Sequence, residues 1–314
     1  MMIMKSQLFK TIILCILIIS SFSCKKESNE PKWISYPIQG LSSEYLNASE
    51  YIIAIAIDSI GNKWIGGDRG LFKFDDRNWE VHTERNSIQA ISIDEKGNKW
   101  IGSAYLWPGS TAGVSMFDDK NWINYAENYS VQSIAIDKKG NRWIGTGGGE
   151  LLKYDGLNLT VYPVQYINTH GSSIQSIAID ASGNKWISAD RGMLKFDDLN
   201  WTVYQGTDWG AKVITIDEKG NKWIGTYNGV KKFDGTNWTT YDISDGLIDN
   251  NVKAIAMDSY GNKWIGTAAG VSKFDGTHWT SFLKGEIVPA IAIDKKGNIW
   301  VGAKGKLLKY SGNQ

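Results

Sequence analysis

The ten residues IDEKGNKWIG occur twice in this chain without a single difference, at Ile93–Gly102 and again at Ile216–Gly225. Neither copy contains a histidine or a cysteine, and neither has a serine beside a base. The stretch therefore lacks the side chains that duplicated catalytic chemistry would need. Its repetition indicates duplicated architecture, and the rest of the sequence can be interpreted from it.

The decamer is the best-kept part of a longer unit. Alignment on its aspartate gives seven units, whose aspartates are 36 to 43 residues apart. These aspartates are Asp58, Asp94, Asp137, Asp180, Asp217, Asp258 and Asp294. A period of about 40 residues is typical of propeller blades with four strands each.

Each unit predicts four short strands. The first, AIAID, alternates Ile or Met with Ala, Ser or Thr, which is the period of two expected of a strand. KWIGT, GVKKFD and NWTTY predict the second, third and fourth strands. An Asp-x-x-Gly-Asn turn joins the first two, where the aspartate can accept backbone N–H bonds and the glycine tolerates positive φ. The sequence therefore predicts an all-β fold, a seven-bladed β-propeller of four-stranded blades.

The two ends of the repeat region predict how the ring closes. The seventh unit finishes at LLKYSGNQ without a fourth strand, whereas KWISYP (Lys32–Pro37) matches the outer strand NWTTYD (Asn237–Asp242). We therefore expect the N-terminal strand to complete the last blade, which would remove an exposed sheet edge. The predicted propeller spans residues 32–314.

Residues 1–23 predict a secretory signal. Lys5 and Lys10 precede an apolar run from Thr11 to Ile19, and small residues follow it. The run is too short to be a comfortable membrane span. We therefore expect the segment to be removed on export.

The residues at the end of the signal resemble the lipobox of bacterial lipoproteins, Ser21-Phe22-Ser23-Cys24. The resemblance implies that Cys24 is acylated and that residues 24–31 form a tether to the membrane. Lys25 and Lys26 follow the cysteine, and the lack of an aspartate at that point implies, in the Gram-negative lipoproteins that this segment resembles, export to the outer membrane, facing either the periplasm or the surface. The alternative is an ordinary signal cut nearby, with Cys24 uninvolved.

Composition restricts the partners and cofactors of the chain. It has 34 basic and 33 acidic residues, and this near-neutral balance argues against a nucleic-acid partner. Of its two cysteines, Cys15 lies inside the predicted signal, so that the mature chain would have no disulfide. The histidines have no metal-ligand spacing, and we expect no metal or other cofactor. A lipid anchor is the only membrane contact expected.

The repeat unit IAIDxxGNxWIGTxxGVxKFDGxxW resembles the two-component-regulator propeller repeat. That family occurs in the periplasmic sensor parts of bacterial hybrid histidine kinases and in stand-alone lipoproteins. The resemblance covers about residues 32–314. It implies the propeller fold and a location in the cell envelope, whereas it says little about the ligand.

One face of the predicted propeller carries variable loops. The loops between the second and third strands lie there with those between blades, and we call this side the loop face. The Asp-x-x-Gly-Asn turns lie on the opposite side, the turn face. Because binding residues favour variable loops on a rigid frame, we expect function on the loop face.

A ring of residues at the start of the first strands is a candidate site. Five residues before each turn aspartate, five of the seven units have a polar residue in an otherwise apolar strand. The ring consists of Ile53, Gln89, Gln132, Gln175, Lys212, Lys253 and Pro289. We expect it to surround the channel mouth, either as a hydrogen-bonding floor for a polar or anionic ligand or simply to solvate a water-filled channel.

Aromatic residues outside the repeat give a second candidate site. Thirteen of the 15 tryptophans recur with the repeat, and the exceptions fall in loops of the loop face, with two tyrosines. These four residues are Trp107, Trp209, Tyr105 and Tyr227. A tryptophan offers a stacking surface and one N–H donor, which suits a sugar ring or a protein interface. The alternative is that each covers its own loop.

Two arginines in equivalent loops are further candidates for ligand binding. Arg69 follows Asp68, and Arg191 follows Asp190. Each arginine could bind a ligand, or it could pair with the aspartate beside it and do nothing else.

The leading functional hypothesis is a non-catalytic envelope lipoprotein that binds a glycan, a peptide or a protein. An enzyme is the first alternative, because GNIWVG (Gly297–Gly302) resembles the repeats of streptogramin-lyase propellers. A lyase or hydrolase would need a general base on the loop face, for which His170 is the histidine candidate, with Glu44, Glu50 or Glu150. A scaffold within an outer-membrane complex is the second alternative.

Overall fold

The computed structural model describes residues 33–38, 51–84, 87–105, 112–164, 173–189, 192–204 and 210–311. These residues form twenty-eight strands and no helix. The strands form seven sheets, the blades, with four antiparallel strands in each. The prediction of an all-β, seven-bladed propeller is confirmed. None of the described segments could cross a membrane as an apolar helix.

The first four blades take their strands consecutively along the chain. Blade 1 contains β2 (Ile52–Ile57), β3 (Lys63–Gly67), β4 (Gly70–Phe74) and β5 (Trp79–Glu84). Blade 2 contains β6 (Ser87–Ile93), β7 (Lys99–Ala104), β8 (Gly113–Phe117) and β9 (Trp122–Glu127). Blade 3 contains β10 (Val131–Ile136), β11 (Arg142–Thr146), β12 (Glu150–Tyr154) and β13 (Leu159–Pro163). Blade 4 contains β14 (Ile174–Ile179), β15 (Lys185–Ala189), β16 (Gly192–Phe196) and β17 (Trp201–Tyr204).

The last three blades include the strand that closes the ring. Blade 5 contains β18 (Val213–Ile216), β19 (Lys222–Thr226), β20 (Gly229–Phe233) and β21 (Trp238–Tyr241). Blade 6 contains β22 (Val252–Met257), β23 (Lys263–Thr267), β24 (Val271–Phe274) and β25 (Trp279–Phe282). Blade 7 contains β26 (Ala290–Ile293), β27 (Ile299–Ala303), β28 (Lys306–Tyr310) and, as its outer strand, β1 (Trp33–Pro37).

The first strands of the blades form the inner ring. Each first strand lies at one end of its sheet and contacts the first strands of both neighbouring blades, from β2 against β6 round to β26 against β2. The blades approach so closely that a Cβ added to Gly66 on β3 would lie 2.5 Å from Cγ2 of Ile88 on β6. This contact explains why most units keep a glycine after the Trp-Ile pair of the second strand.

The N-terminal strand completes the ring as predicted. β1 pairs with β28 from Trp33 opposite Tyr310 to Pro37 opposite Lys306. The Tyr36 ring lies 4.9 Å from that of Phe74 in blade 1 and 5.9 Å from that of Trp300 in blade 7. The strand therefore fills the last blade and also seals its interface with the first.

The turn aspartates explain why the decamer is repeated. In blade 3, Oδ1 of Asp137 accepts the backbone N–H groups of Lys139 and Asn141, each at 2.9 Å. Its Oδ2 accepts the side-chain amide of Asn141 at 2.8 Å and the indole N–H of Trp143 at 3.0 Å. Gly140 adopts φ +80° in the same turn. Every blade reuses this hairpin because it ties the turn to the buried tryptophan of the second strand.

Several turn aspartates have a lowered pKa. Burial acts to raise it, but the hydrogen bonds from the indole and the asparagine together outweigh burial. The five with a lowered pKa are Asp94, Asp137, Asp180, Asp217 and Asp294. These carboxylates are therefore structural acceptors that stay ionised in the folded protein.

Candidate functional site

Several predicted site residues lie outside the described residues. They are Trp107, Trp209, Arg191 and Cys24, together with His170, Glu44 and Glu50 of the enzyme alternative. Their roles therefore stay predictions. The remaining candidates are described, and they lie at the loop-face ends of the first strands or on separate blades.

A β-bulge marks the ring position in five blades. The pairing of the first strand with the second skips one residue there, in blades 1, 2, 3, 4 and 6. The skipped residues are Ile53, Gln89, Gln132, Gln175 and Lys253, and all of them are half-buried. A bulge leaves its extra residue outside the ladder and redirects the side chain. Because the first strand ends at the turn face, these residues lie at its loop-face end, where the sequence placed the ring.

Blades 2 to 4 contribute a neutral arc to the loop-face end of the inner ring. Nε2 of Gln89 donates to Oγ of Ser87 at 2.6 Å, and Nε2 of Gln132 donates to Oγ of Ser130 at 3.4 Å. Gln175 occupies the same position in blade 4. Local serines therefore orient two of these amides, which gives this arc a hydrogen-bonding surface without charge.

Blades 5 and 6 contribute a cationic arc. Nζ of Lys212 lies 4.3 Å from the centroid of the Tyr227 ring. Burial lowers the pKa of Lys253, and the charge of Lys212 lowers it further, whereas Tyr227 and Asp249 act in the opposite direction. No carboxylate among the described residues forms an ion pair with either ammonium group. We call Lys212, Lys253 and Tyr227 the loop-face lysine cluster.

Tyr105 lines a separate cavity in blade 2. The cavity has a volume of about 470 Å³ and is also lined by Trp122, Asn124 and Asn128. The Tyr105 hydroxyl lies 3.2 Å from Oδ1 of Asn128, to which it donates, and the side chain is 49% exposed. Tyr227 belongs to blade 5 and is 50% exposed. The structure therefore does not join the two tyrosines into one site, because each extends from the loop of its own blade.

Arg69 interacts with its neighbour in the sequence. Burial raises the pKa of Asp68, and the positive charge of Arg69 opposes that rise. The choice between ligand binding and pairing for Arg69 therefore stays a prediction.

The described histidines are not arranged for catalysis on the loop face. Nε2 of His82 lies 3.6 Å from Oε2 of Glu80 on the outer strand of blade 1, and Nδ1 of His278 lies 3.6 Å from Oδ2 of Asp275 in a hairpin of the turn face. Glu150 accepts a hydrogen bond from a threonine of its own hairpin. Within the described ranges, no three His, Cys, Asp or Glu side chains are grouped as a metal site.

A set of cations between the blades was not predicted from the sequence. A basic residue begins the second strand in six blades and lies on the tryptophan of the preceding blade. The pairs are Lys63 on Trp300 at 4.0 Å, Lys99 on Trp64 at 4.5 Å, Arg142 on Trp100 at 4.1 Å, Lys185 on Trp143 at 4.2 Å, Lys222 on Trp186 at 4.1 Å and Lys263 on Trp223 at 4.7 Å. Such contacts are worth about 0.5–2 kcal/mol each. The signal was present, since Lys or Arg precedes the tryptophan in six of the seven units.

Comparison with known proteins supports the propeller family. Residues 246–269 and 282–305 match the family described as two component regulator propeller. A search of curated proteins found no match.

Solved structures share the fold at low sequence identity. The extracellular domain of the hybrid two component system BT3049 from B. thetaiotaomicron is 20% identical, with a TM-score of 0.75 over 90% of this chain and 41% of that domain. The corresponding domain of BT4673 from the same organism is 17% identical, with a TM-score of 0.71 over 90% and 40%. This chain therefore spans less than half the length of those two domains.

A lyase shares the fold as well. A catalytically inactive virginiamycin B lyase from Staphylococcus aureus, solved with quinupristin, is 14% identical, with a TM-score of 0.75 over 90% of this chain and 100% of that one. At these identities the structures show a common fold, and the sequence match shows the repeat. The chain therefore carries two component regulator propeller repeats on a seven-bladed propeller.

Proposed function

We propose that the chain is a non-catalytic lipoprotein of the bacterial cell envelope that binds a ligand on its loop face. The ligand is a glycan, a peptide or a protein segment with an anionic group. That group binds at the loop-face lysine cluster, while the neutral part of the ligand extends across the channel mouth toward the glutamines.

The loop-face lysine cluster is the observation that carries the proposal. Lys212 and Lys253 are half-buried and lie on adjacent blades. Burial lowers the pKa of Lys253, and the positive charge of Lys212 lowers it further. Unpaired like charges held together are unfavourable for the free protein, so an anion between them would be stabilised by both. The ring of Tyr227, which is 50% exposed, adds aromatic surface beside Lys212.

The location in the envelope rests on two other observations. The N-terminal residues have the pattern of an export signal that ends at Cys24. The propellers of BT3049 and BT4673 lie in domains described as extracellular.

Binding assays with paired variants test the proposal. Protein purified in detergent from its own envelope is incubated with arrays of acidic and neutral glycans and peptides. Lys212→Gln/Lys253→Gln is then compared with Lys138→Gln/Lys139→Gln, which removes the same charge from an exposed turn of the turn face.

The variants should separate a local effect from a general one. We expect the first pair to weaken binding at least about tenfold, as expected from one lost charge-assisted hydrogen bond. We expect the control pair to change it less than about twofold, because distant exposed charges are screened. Equal losses for both pairs, or turnover of a bound compound, would contradict the proposal.

A further inference from the structure

In three blades, the lysine that begins the second strand and lies on the tryptophan of the preceding blade also pairs with a carboxylate. Lys63, Lys99 and Lys185 each form an ion pair with the second aspartate of an Asp-Asp pair in the next hairpin of their own blade. These aspartates are Asp76, Asp119 and Asp198, and all adopt positive φ, between 77° and 80°. The three lysines are only 1–2% exposed. In these blades the ammonium group therefore lies between a tryptophan ring and a carboxylate.

Blade 6 keeps the lysine and the tryptophan but lacks the carboxylate. Gly276 stands where blades 1, 2 and 4 have the aspartate, with φ +109° and no atom within 4 Å of an added Cβ. Lys263 is half-buried instead of buried, and no described carboxylate forms an ion pair with it. The space of the missing carboxylate is therefore open to solvent above the ammonium group. Blade 5 has the same pattern, with Lys222 and Gly235.

A groove leads to Lys263 on the turn face. It lies between blades 5 and 6, has a volume of about 670 Å³ and is lined by Trp223, Tyr241, Phe274 and Tyr260 in addition to Lys263. Tyr260 is 85% exposed, whereas Trp223 is buried. The groove therefore offers an ammonium group and aromatic surface to the same ligand.

Four carboxylates line this groove together with Lys263: Asp217, Glu218, Asp258 and Asp275. Glu218 is exposed, so that solvent screens its charge. Asp275 accepts backbone N–H groups of its own hairpin, as the equivalent aspartates do in the three blades where a carboxylate pairs with the lysine. These residues therefore do not exclude an anion from the groove. Burial lowers the pKa of Lys263, while Asp217 and Asp258 act to raise it. Both aspartates are hydrogen-bonded within their own turns. The equivalent turn aspartates are present in every blade, including those in which a carboxylate pairs with the lysine. The repeat itself thus shows that a carboxylate is accepted in these surroundings.

We propose that the groove between blades 5 and 6 binds a carboxylate group of a ligand, which pairs with Lys263 in the place that Asp76, Asp119 and Asp198 fill in their blades. The carboxylate belongs either to an acidic side chain of a polypeptide or to a free organic acid. The site lies on the turn face and does not depend on the function proposed for the loop face.

NMR spectroscopy of the lysine side chains can test this site. The full chain is labelled with ¹³C-lysine, and the Cε–Hε signal of Lys263 is assigned with Lys263→Arg. Acetate, N-acetyl-aspartyl amide and the neutral N-acetyl-asparaginyl amide are titrated at constant ionic strength. We expect a saturable shift of the Lys263 signal with the two carboxylates and none with the neutral amide. The buried Lys63, Lys99 and Lys185 should not respond.

Gly276→Asp is the decisive variant, because it supplies the carboxylate from the chain itself. We expect it to weaken the response of Lys263 at least about tenfold, as an internal charge-assisted pair excludes the external one. Gly235→Asp, the same change in blade 5, is the control and should leave the response of Lys263 intact. Unchanged NMR signals of the other lysines would show that this variant is folded. A linear response shared by all exposed lysines, or a response of Lys263 that survives Gly276→Asp, would overturn the proposal.

The probes also distinguish the two sources of the carboxylate. Binding of N-acetyl-aspartyl amide about tenfold tighter than acetate would identify an acidic side chain of a polypeptide, because the backbone amides would then contribute. Equal binding would identify a free organic acid.

Discussion

Replacement of Asp119 by Asn should destabilise the protein, because the buried ammonium group of Lys99 would lose its ion-pair partner. Asn has nearly the same size and also tolerates positive φ, so that the hairpin of Asp119, at φ 77°, should keep its conformation. The ammonium group of Lys99 would remain 4.5 Å from the Trp64 ring but would lose its anion. The change therefore isolates the ion pair from the turn and from the cation–π contact.

Burial of the two partners sets the magnitude. Lys99 is 2% exposed and Asp119 is 61% exposed. Exposed ion pairs contribute about 0.2–1 kcal/mol, whereas breaking a buried pair costs about 3–5 kcal/mol. Because one partner is buried and the other faces water, we expect a loss of about 1–2 kcal/mol. For a domain of this size that corresponds to a decrease of about 2–4 °C in Tm.

The coupling energy between Lys99 and Asp119 can be measured by urea unfolding of the proteins of a double-mutant cycle. Lys99→Met removes the charge and keeps an unbranched chain on Trp64, so Asp119→Asn should cost little in that background. We expect a coupling energy of about 1–2 kcal/mol that salt hardly reduces, since a buried charge is poorly screened. The exposed pair of Lys73 and Glu80 is the control, with an expected coupling below about 0.5 kcal/mol. Additive effects at Lys99 and Asp119 within about 0.3 kcal/mol would refute the reasoning.

Further predictions concern ring closure, acid, the anchor and the loops. Tyr36→Ala should lower the free energy of unfolding by about 2–3 kcal/mol, because it removes the ring that packs between blades 7 and 1. Ile34→Ala, at a 45% exposed position, is the control and should lower it by less than about 1 kcal/mol in the same urea unfolding experiment. Ionisation of the five turn aspartates with a lowered pKa stabilises the fold fully above their pKa in the unfolded chain, about 3.9. The free energy of unfolding should therefore decrease as the pH falls below about 4. Equal stability at pH 3 and pH 6, measured by circular dichroism, would contradict this role. Metabolic labelling with a fatty-acid analogue should mark the wild type and not Cys24→Ala; equal labelling of both would exclude this anchor. Trp107→Ala/Trp209→Ala should leave Tm nearly unchanged and weaken ligand binding by about 2 kcal/mol or more, whereas a large loss of Tm with intact binding would show that both tryptophans only cover their loops.

The fold could be predicted from the sequence because its determinants are local and repeated. The alternation of Ile and Ala, the Asp-x-x-Gly-Asn turn and the spacing of the aspartates specify one blade, and the repetition specifies the ring. Trp33 and Tyr36 could be assigned to the last blade since their segment matches the outer strand of the others. Each of these inferences compares a residue with its equivalents in the same chain.

The site could be predicted only in part, because contacts between blades do not follow from one unit. The ring position of Lys253 was visible in the sequence, but the bulge that redirects its side chain was not. The proximity of Lys212 to Tyr227 depends on the loop that returns Tyr227 toward the first strand. The contact of Lys263 with Trp223 joins neighbouring units. Gly276 of blade 6 occupies the position of Asp119 in blade 2, and the effect of this difference can be inferred only once the structure places the lysine beside it.

The pairing of β1 with β28 has a consequence for the order of folding. This pairing joins the first described strand to the last, so that its loop, residues 38–305, is roughly fiftyfold longer than the turn at residues 58–62 between the first two strands of blade 1. Loop entropy alone makes such a closure about 3.5 kcal/mol less favourable than that hairpin. Blades 1 to 6 can form from local contacts before the rest of the chain is available, whereas blade 7 must wait for the final strand. The last step of folding therefore brings the two ends together, and until then β1 and the edge of blade 7 are both open to proteases and to pairing with another chain.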